Sequence, residues 1–220
     1  YLHGQVKNVR SRLLPFVIAA IFLIIAGIYG SLSLDVANEN IVMLVAAAII
    51  GGYMALNIGA NDVANNMGPA FGGKVLTVTA AVVIAAVCES AGAILAGGDV
   101  VQTVAKGIIN PGDGVTATDF RNLMLSALFA AALWINLVTF LNAPVSTTHS
   151  IVGGVMGAGI AGAGFGLVNW ITMSKIAASW VISPVFGGIV AAGLLLFIKV
   201  KIFNVEDRKR AARRWVPILI

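Results

Sequence analysis

Long apolar stretches separated by short polar ones set the reading of this chain. Leu13 to Leu34 is apolar and gives way to a link holding Asp35, Asn38, Glu39 and Asn40. Further apolar runs follow at Ile41 to Ile58, Val75 to Gly97, Leu123 to Leu141, Ile151 to about Phe165 and Ser174 to Val200. Most approach the ~20 residues that a helix needs to cross a hydrocarbon core of roughly 30 Å. The pattern predicts an all-α fold, a polytopic helical membrane protein. Gly98 to Thr118, with its PGDG turn, reads as a surface segment on the outer side. Asp119, after Thr116 and Thr118, marks a helix start, and Ser183-Pro184 should kink the last long helix.

Two polar stretches interrupt the apolar pattern. The first, Asn57 to Lys74, reads NIGANDVANNMGPAFGGK and sets Asn57, Asn61, Asp62, Asn65 and Asn66 beside Gly59, Gly68, Pro69, Gly72 and Gly73. Carboxylates and amides are costly in hydrocarbon, so their clustering beside helix breakers predicts an unwound helix facing a cavity. Many transporters build a binding site in this way. The second stretch, Asn142-Ala-Pro-Val-Ser-Thr-Thr-His149, separates two helices that form either a re-entrant hairpin or two full spans. Both arrangements return the chain to the side it left. Counting the pair as two, Ile41 to Val200 holds five transmembrane elements, and an odd number would make a following copy inverted.

Composition sharpens the class. The chain is 59% hydrophobic and 10% charged, with mean hydropathy +0.97, which excludes an ordinary soluble domain. Its net charge of +5 comes mainly from the ends: Lys7, Arg10 and Arg12, then Lys199, Lys201, Arg208, Lys209, Arg210, Arg213 and Arg214. Basic residues flanking spans mark cytoplasmic segments rather than a nucleic-acid surface. The domain plan is therefore 1–40, a basic flank with the first span and an outer link; 41–200, a transport repeat; and 201–220, a basic cytoplasmic segment leading into a further span. Tyr1 at the start and Trp215-Val-Pro-Ile-Leu-Ile220 at the finish, resembling the opening of another span, mark the sequence as a fragment. Cys88, the single cysteine, offers neither an intrachain disulfide nor a cysteine metal cluster.

Candidate chemistry gathers at the two interruptions. Pro144 suits a helix start, and Ser146, Thr147 and Thr148 bring hydroxyls to the free N–H groups at the positive end of a helix, where an oxyanion is held without a cation. The alternative is that one hydroxyl caps the helix and the others bond back to carbonyls. His149 is either a proton carrier or an orienting group. Asp62, between Asn61 and Asn65, supplies hard oxygen ligands for a sodium ion and an acceptor for the P–OH of a protonated phosphate. Sulfate, with no proton to offer, would be repelled. The competing role for Asp62 is a helix cap. Glu89 lies mid-span, where an ionisable group points to function; Gln102 and Asn136 are weaker candidates of that kind. Gly157, Gly159 and Gly162 match a dinucleotide fingerprint, but without a strand before them they serve close helix packing. Trp134, Trp170, Trp180 and Trp215 read as interface anchors or packing groups.

GANDVANNMGPAFGGK, followed by AVCESAGAILAGGDVVQTVAKGII and LNAPVSTTHSIVGGVMGAGI, resembles the inorganic phosphate transporter (PiT) family, in its N-terminal repeat, from about Val42 to Val200. The resemblance implies one half of an inverted-repeat secondary transporter working by alternating access, not an enzyme. It implies inorganic phosphate as substrate, Na⁺ or H⁺ as coupling ion and no other cofactor. Phosphate would be held by Asp62, Asn65, Ser146, Thr147 and Thr148. Asn61, Asp62, Asn65, Glu89 and Thr148 would serve ion coupling, with Na⁺ at Asn61, Asp62 and Thr148. Its partners would be the bilayer of a plasma or inner membrane, with both basic ends cytoplasmic, and the second repeat of the same protein. A homodimer stays open. Competing readings are a sulfate permease of the same fold and a membrane-embedded hydrolase using Ser146 or Thr147 with His149. A half-size subunit acting as an inverted dimer would need dual topology, which the charge bias opposes.

Overall fold

The computed structural model describes residues 2–32, 41–110, 112 and 114–219. The link from Asp35 to Asn40, Leu34, and Pro111 and Asp113 of the PGDG turn lie outside them, as do the side chains of Lys7, Arg10 and Arg12. The elements in order are α1 (Leu2–Leu32), α2 (Ile41–Gly72), α3 (Val78–Gln102) with a π-helical turn (Thr103–Gly107), α4 (Ala117–Phe140) and α5 (Thr147–Ala163). A short 3-10 turn (Phe165–Leu167), α6 (Trp170–Ile198), a second π-helical turn (Lys199–Phe203) and α7 (Arg208–Leu219) complete the chain. Among the described residues, five stretches are long and apolar enough to cross a membrane: Leu13–Leu32, Ile41–Gly72, Val78–Gly107, Ala117–Phe140 and Trp170–Phe203. The protein is an all-α polytopic membrane protein. It divides into two units, Tyr1–Asn169 and Trp170–Ile220.

In the first unit α2 is the hub, packing against α1, α3 and α4, while α5 packs along α4. Met54 meets Ala131, Ala132 and Ile135 in the core, with Tyr53, Ile58, Leu128 and Ile151 around them. Large aliphatic side chains face outward instead, Ile94 and Leu95 among them. That inversion is what a hydrocarbon solvent requires, because the helices then associate by close packing rather than by escape from water. Small residues permit the approach: a β-carbon on Gly30 would sit 2.7 Å from that of Ala48, and one on Gly154 only 2.8 Å from the carbonyl oxygen of Ala127. Gly154 opposes Ala127 and Ala131, and Gly162 opposes Leu123, so α5 runs antiparallel to α4. At 1.5 Å per residue α5 is about 25 Å long. Gly154, Gly159 and Gly162 thus serve packing, whereas Gly157, expected to do so too, meets nothing within 4 Å.

Three expectations are corrected. First, α2 does not unwind at the polar stretch; it is helical from Ile41 to Gly72, with Pro69 inside its last turn. Asn57 and Asn61 are satisfied by Asn136 and Thr139 of α4, and Asn65 by Asn61 and the Val145 carbonyl, so the backbone has no need to open there. Second, the segment after Gly97 is not wholly a surface loop. The helix continues through Gln102 and the π-helical turn to Gly107, and Ile108 and Ile109 are fully buried. Asn110 N–H donates to the Leu167 carbonyl (2.9 Å) and Asn169 N–H to the Ile108 carbonyl (2.8 Å), clasping this segment to the chain beyond α5. Third, Pro144 lies in the extended link, two residues before the helix cap.

Local chemistry explains the boundaries. Thr116 and Asp119 form a reciprocal capping box at the start of α4, and Thr77 caps α3. Both α2 and α4 end in the same way. Val75 N–H reaches back to the Ala70 carbonyl and Lys74 N–H to Phe71; Ala143 reaches Val138 and Asn142 reaches Thr139. These are the paired bonds of a Schellman ending, and they put Lys74 (φ 57°) and Asn142 (φ 55°) in the left-handed region. Asparagine tolerates that conformation, whereas lysine is strained by roughly 1 kcal/mol. Lys74→Gly should therefore raise stability by about 0.5 kcal/mol after the extra chain entropy is subtracted, and Lys74→Val should lower it. Thermal unfolding in detergent checks the order.

Candidate functional site

The site is built where the end of α4 and the start of α5 meet the middle of α2. Asn57, Asn61 and Asn65 recur every fourth residue, so they form one stripe on α2. Among the described residues the buried polar side chains are Asn57 (7% exposed), Asn61 (4%) and Thr147 (8%). Asn57 Nδ2 donates to the Tyr53 carbonyl at 2.8 Å, and its Oδ1 accepts from Asn136 Nδ2 at 2.8 Å. One turn on, Asn61 Nδ2 donates to Thr139 Oγ1 at 3.1 Å, while Asn61 Oδ1 accepts from Asn65 Nδ2 at 2.7 Å. Asn65 Nδ2 also lies 3.3 Å from the carbonyl of Val145, in the link to α5. This ladder pins α2 to α4 in parallel register and holds the break between α4 and α5 against α2.

Asp62 sits beside the ladder, half-buried, and faces α5. Thr147 Oγ1 straddles its two carboxylate oxygens at 3.2 and 3.3 Å. Those lengths exceed a strong hydroxyl hydrogen bond, so the carboxylate is contacted without being saturated. Thr147 is the first residue of α5, and Ser146 is its cap, accepting from His149 N–H at 3.2 Å. His149 Nδ1 also contacts the Ser146 hydroxyl, and Ser150 Oγ returns to the Ser146 carbonyl at 2.9 Å. The N–H groups of Thr147 and Thr148, at the head of the helix, have no carbonyl within the helix to bond. Partial positive charge thus collects a few ångströms from a carboxylate.

Of the residues singled out from sequence, the fold brings together Asn61, Asp62, Asn65 and Thr147, with Ser146 adjoining as the cap. Thr148 is exposed and makes none of these bonds, because consecutive helical positions point in different directions. Glu89 stands apart on α3, exposed, one turn beyond the buried Ala85. Thr139 was missed and Asn136 given little weight. Their three-residue spacing in an apolar helix, which sets both on one face, was the available signal. Deleting one partner of a buried amide pair strands the other, at a cost of about 1–3 kcal/mol. Asn136→Leu should therefore destabilise the protein by that amount, and Asn57→Leu/Asn136→Leu should recover much of it. A double-mutant cycle on thermal unfolding measures the coupling.

In this all-α membrane protein the polar side chains thus converge where the end of α4 and the head of α5 meet α2, and a carboxylate there lies beside a helix N-terminus. The chain belongs to the phosphate transporter family, whose family model matches residues 58–220. It is 48% identical over 214 residues to a Helicobacter pylori protein named "Putative phosphate permease", covering 97% of this chain and 40% of that one. It is 37% identical over 218 residues to "Inorganic phosphate transporter 2-1, chloroplastic" of Arabidopsis thaliana, covering 98% of this chain and 37% of the relative. A solved structure named "The sodium-dependent phosphate transporter" superposes with a TM-score of 0.72 at 43% identity, over 78% of this chain and 42% of that one. The chain therefore spans about two fifths of the length of these relatives.

Proposed function

We propose that the chain is the N-terminal repeat of a secondary active transporter that carries inorganic phosphate in symport with Na⁺. The observation that supports this reading is the contact of Thr147, at the head of α5, with the Asp62 carboxylate on α2. Phosphate oxygens take the free N–H groups and hydroxyls of Thr147 and Thr148, with Asn65 at the side and Ser146 holding the helix end in shape. Asp62 accepts the P–OH of the monoprotonated anion. The cation binds the other side of Asp62, with Asn61 and Asn65 oxygens turning to it from the ladder. Thr148 and Glu89 join the coupling path once the second repeat closes over the site. Because the cation offsets the charge of Asp62, each ligand raises affinity for the other. Alternating access follows from movement of one inverted repeat against the other, in a plasma or inner membrane with the basic ends cytoplasmic. A homodimer is compatible with this scheme and not needed by it.

The names of the relatives, and the sodium dependence that the solved transporter carries in its own name, support this reading over the alternatives. A proton in place of Na⁺ would keep the site and change the driving ion. A hydrolase using Ser146 or Thr147 with His149 is less favoured: Ser146 Oγ caps α5, Thr147 Oγ1 lies against Asp62 rather than His149, and a nucleophile–base pair needs a third group to orient the base. The test is uptake by the full-length protein in proteoliposomes. A Na⁺ gradient should stimulate phosphate uptake, and excess sulfate should leave it unchanged. Sulfate inhibition would favour the sulfate permease, and uptake following only a proton gradient would replace the coupling ion.

A further inference from the structure

We infer that α7, with the turn before it, is a docking surface for anionic lipid headgroups at the membrane border of α6. The inference rests on α6 being a membrane span and concerns no residue of the transport site. Between Lys199 and Arg214 the sequence places seven cations against two carboxylates, Glu206 and Asp207. The apolar run of α6 ends at Ile198, and Lys199 and Lys201 follow at once, both exposed. After Asn204 the chain turns and α7 begins, with Asp207 Oδ1 accepting from Arg210 N–H at 3.0 Å, so this carboxylate is engaged at the positive end of the helix.

Two features decide where α7 lies. At 3.6 residues per turn, Lys209, Arg210, Arg213 and Arg214 share one side and Ala211, Trp215 and Ile218 the other, with Arg208 in the first turn falling on the Trp215 side. The four cations are exposed; Ala211 and Trp215 are half-buried. Trp215 meets Phe197 edge to face, ring centroids 5.2 Å apart at 89°. Phe197 lies in the last turn of α6, so this contact folds α7 back to the depth at which the apolar span gives way to charge. Tryptophan favours that depth in a bilayer. The Arg214 guanidinium carbon lies 5.4 Å from the centre of the Trp215 ring, which draws one cation to the same level. Among the described residues none of these four cations is paired with a carboxylate. A basic arc held at headgroup depth and unneutralised by the protein is complementary to the phosphate of an anionic phospholipid.

The experiment is amide hydrogen exchange of residues 208–219 in the full-length protein, reconstituted in nanodiscs of phosphatidylcholine or of phosphatidylcholine with phosphatidylglycerol. Exchange should slow by about tenfold or more in the anionic discs, lose that protection in high salt, and lose it in the Lys209→Gln/Arg210→Gln/Arg213→Gln/Arg214→Gln variant. Amides of α4 should be unchanged throughout, which separates loss of lipid contact from loss of fold. Equal exchange in both discs would overturn the inference. So would protection in the variant, or protection restored in phosphatidylcholine discs by inorganic phosphate, which would make the arc a free-anion site. Because uptake is not the readout, failure of the phosphate proposal would leave this result intact.

Discussion

Asp62→Ala in the full-length protein should reduce phosphate uptake to about a hundredth or less of the original rate at subsaturating phosphate, with the protein still inserted in the membrane. The side chain is assigned two charged contacts, one to the cation and one to the proton of the substrate. Hydrogen bonds to charged groups contribute about 1.5–3 kcal/mol each, and every 1.4 kcal/mol is a factor of about ten in affinity. Asp62→Asn keeps the shape and removes the charge, so it should bind cation poorly and lose most of the Na⁺ stimulation. The structural cost of either change is small, since Asp62 is half-buried and its partner in this chain is a long contact with Thr147. Uptake at the original rate with the original cation dependence in Asp62→Ala would remove this residue from the mechanism.

Gly154→Val should be the most damaging packing change. A β-carbon there already falls 2.8 Å from the Ala127 carbonyl oxygen and 3.4 Å from Ala131 Cβ. The obstructing atom is backbone, so α5 has to move off α4, and a branched side chain enlarges the displacement. Overpacking of this kind costs about 1–3 kcal/mol, and the upper end is expected here. Thr147 lies seven residues, two turns, earlier on the same helix, so the shift should also pull its hydroxyl from Asp62. Loss of thermal stability together with weaker phosphate binding is the expected pair of results, with Gly154→Ala milder in both. Gly157→Ala, whose added carbon meets nothing within 4 Å, is the control that should leave both unchanged.

How far the sequence could be read depended on whether the deciding interactions were local. The ends of α4 were legible because their signals are a few residues long, Thr116 with Asp119 and the break at Asn142, whereas the start of α5 was placed at Pro144 and the choice of Ser146 as its cap was not. The course of α2 was not. Glycine, proline and clustered asparagines are breakers on their own, and the ladder that keeps them helical comes from Asn136 and Thr139, about eighty residues away. Pro69 did no damage because it falls in the final turn. Ile108 and Ile109 lay within the Gly98 to Thr118 stretch read as a surface segment, and pairing with Leu167 to Asn169 together with packing against Gly159 buries them. For the site, composition pointed to Asp62, Asn61 and Asn65, while the choice of Thr147 over its hydroxyl neighbours required the direction of each side chain. Glu89 was conspicuous as a carboxylate in an apolar run, yet it is exposed and among the described residues bonds to none of the others.

The central claim is that Asp62 and the head of α5 form a coupled site for cation and phosphate. Its most direct test is the phosphate affinity of the full-length protein, titrated with and without Na⁺, in the original sequence and in Asp62→Asn. The account predicts that Na⁺ tightens phosphate binding at least about tenfold in the original, within the usual range of coupling energies, and leaves the variant nearly unaffected. An equal sodium effect in both proteins would contradict it.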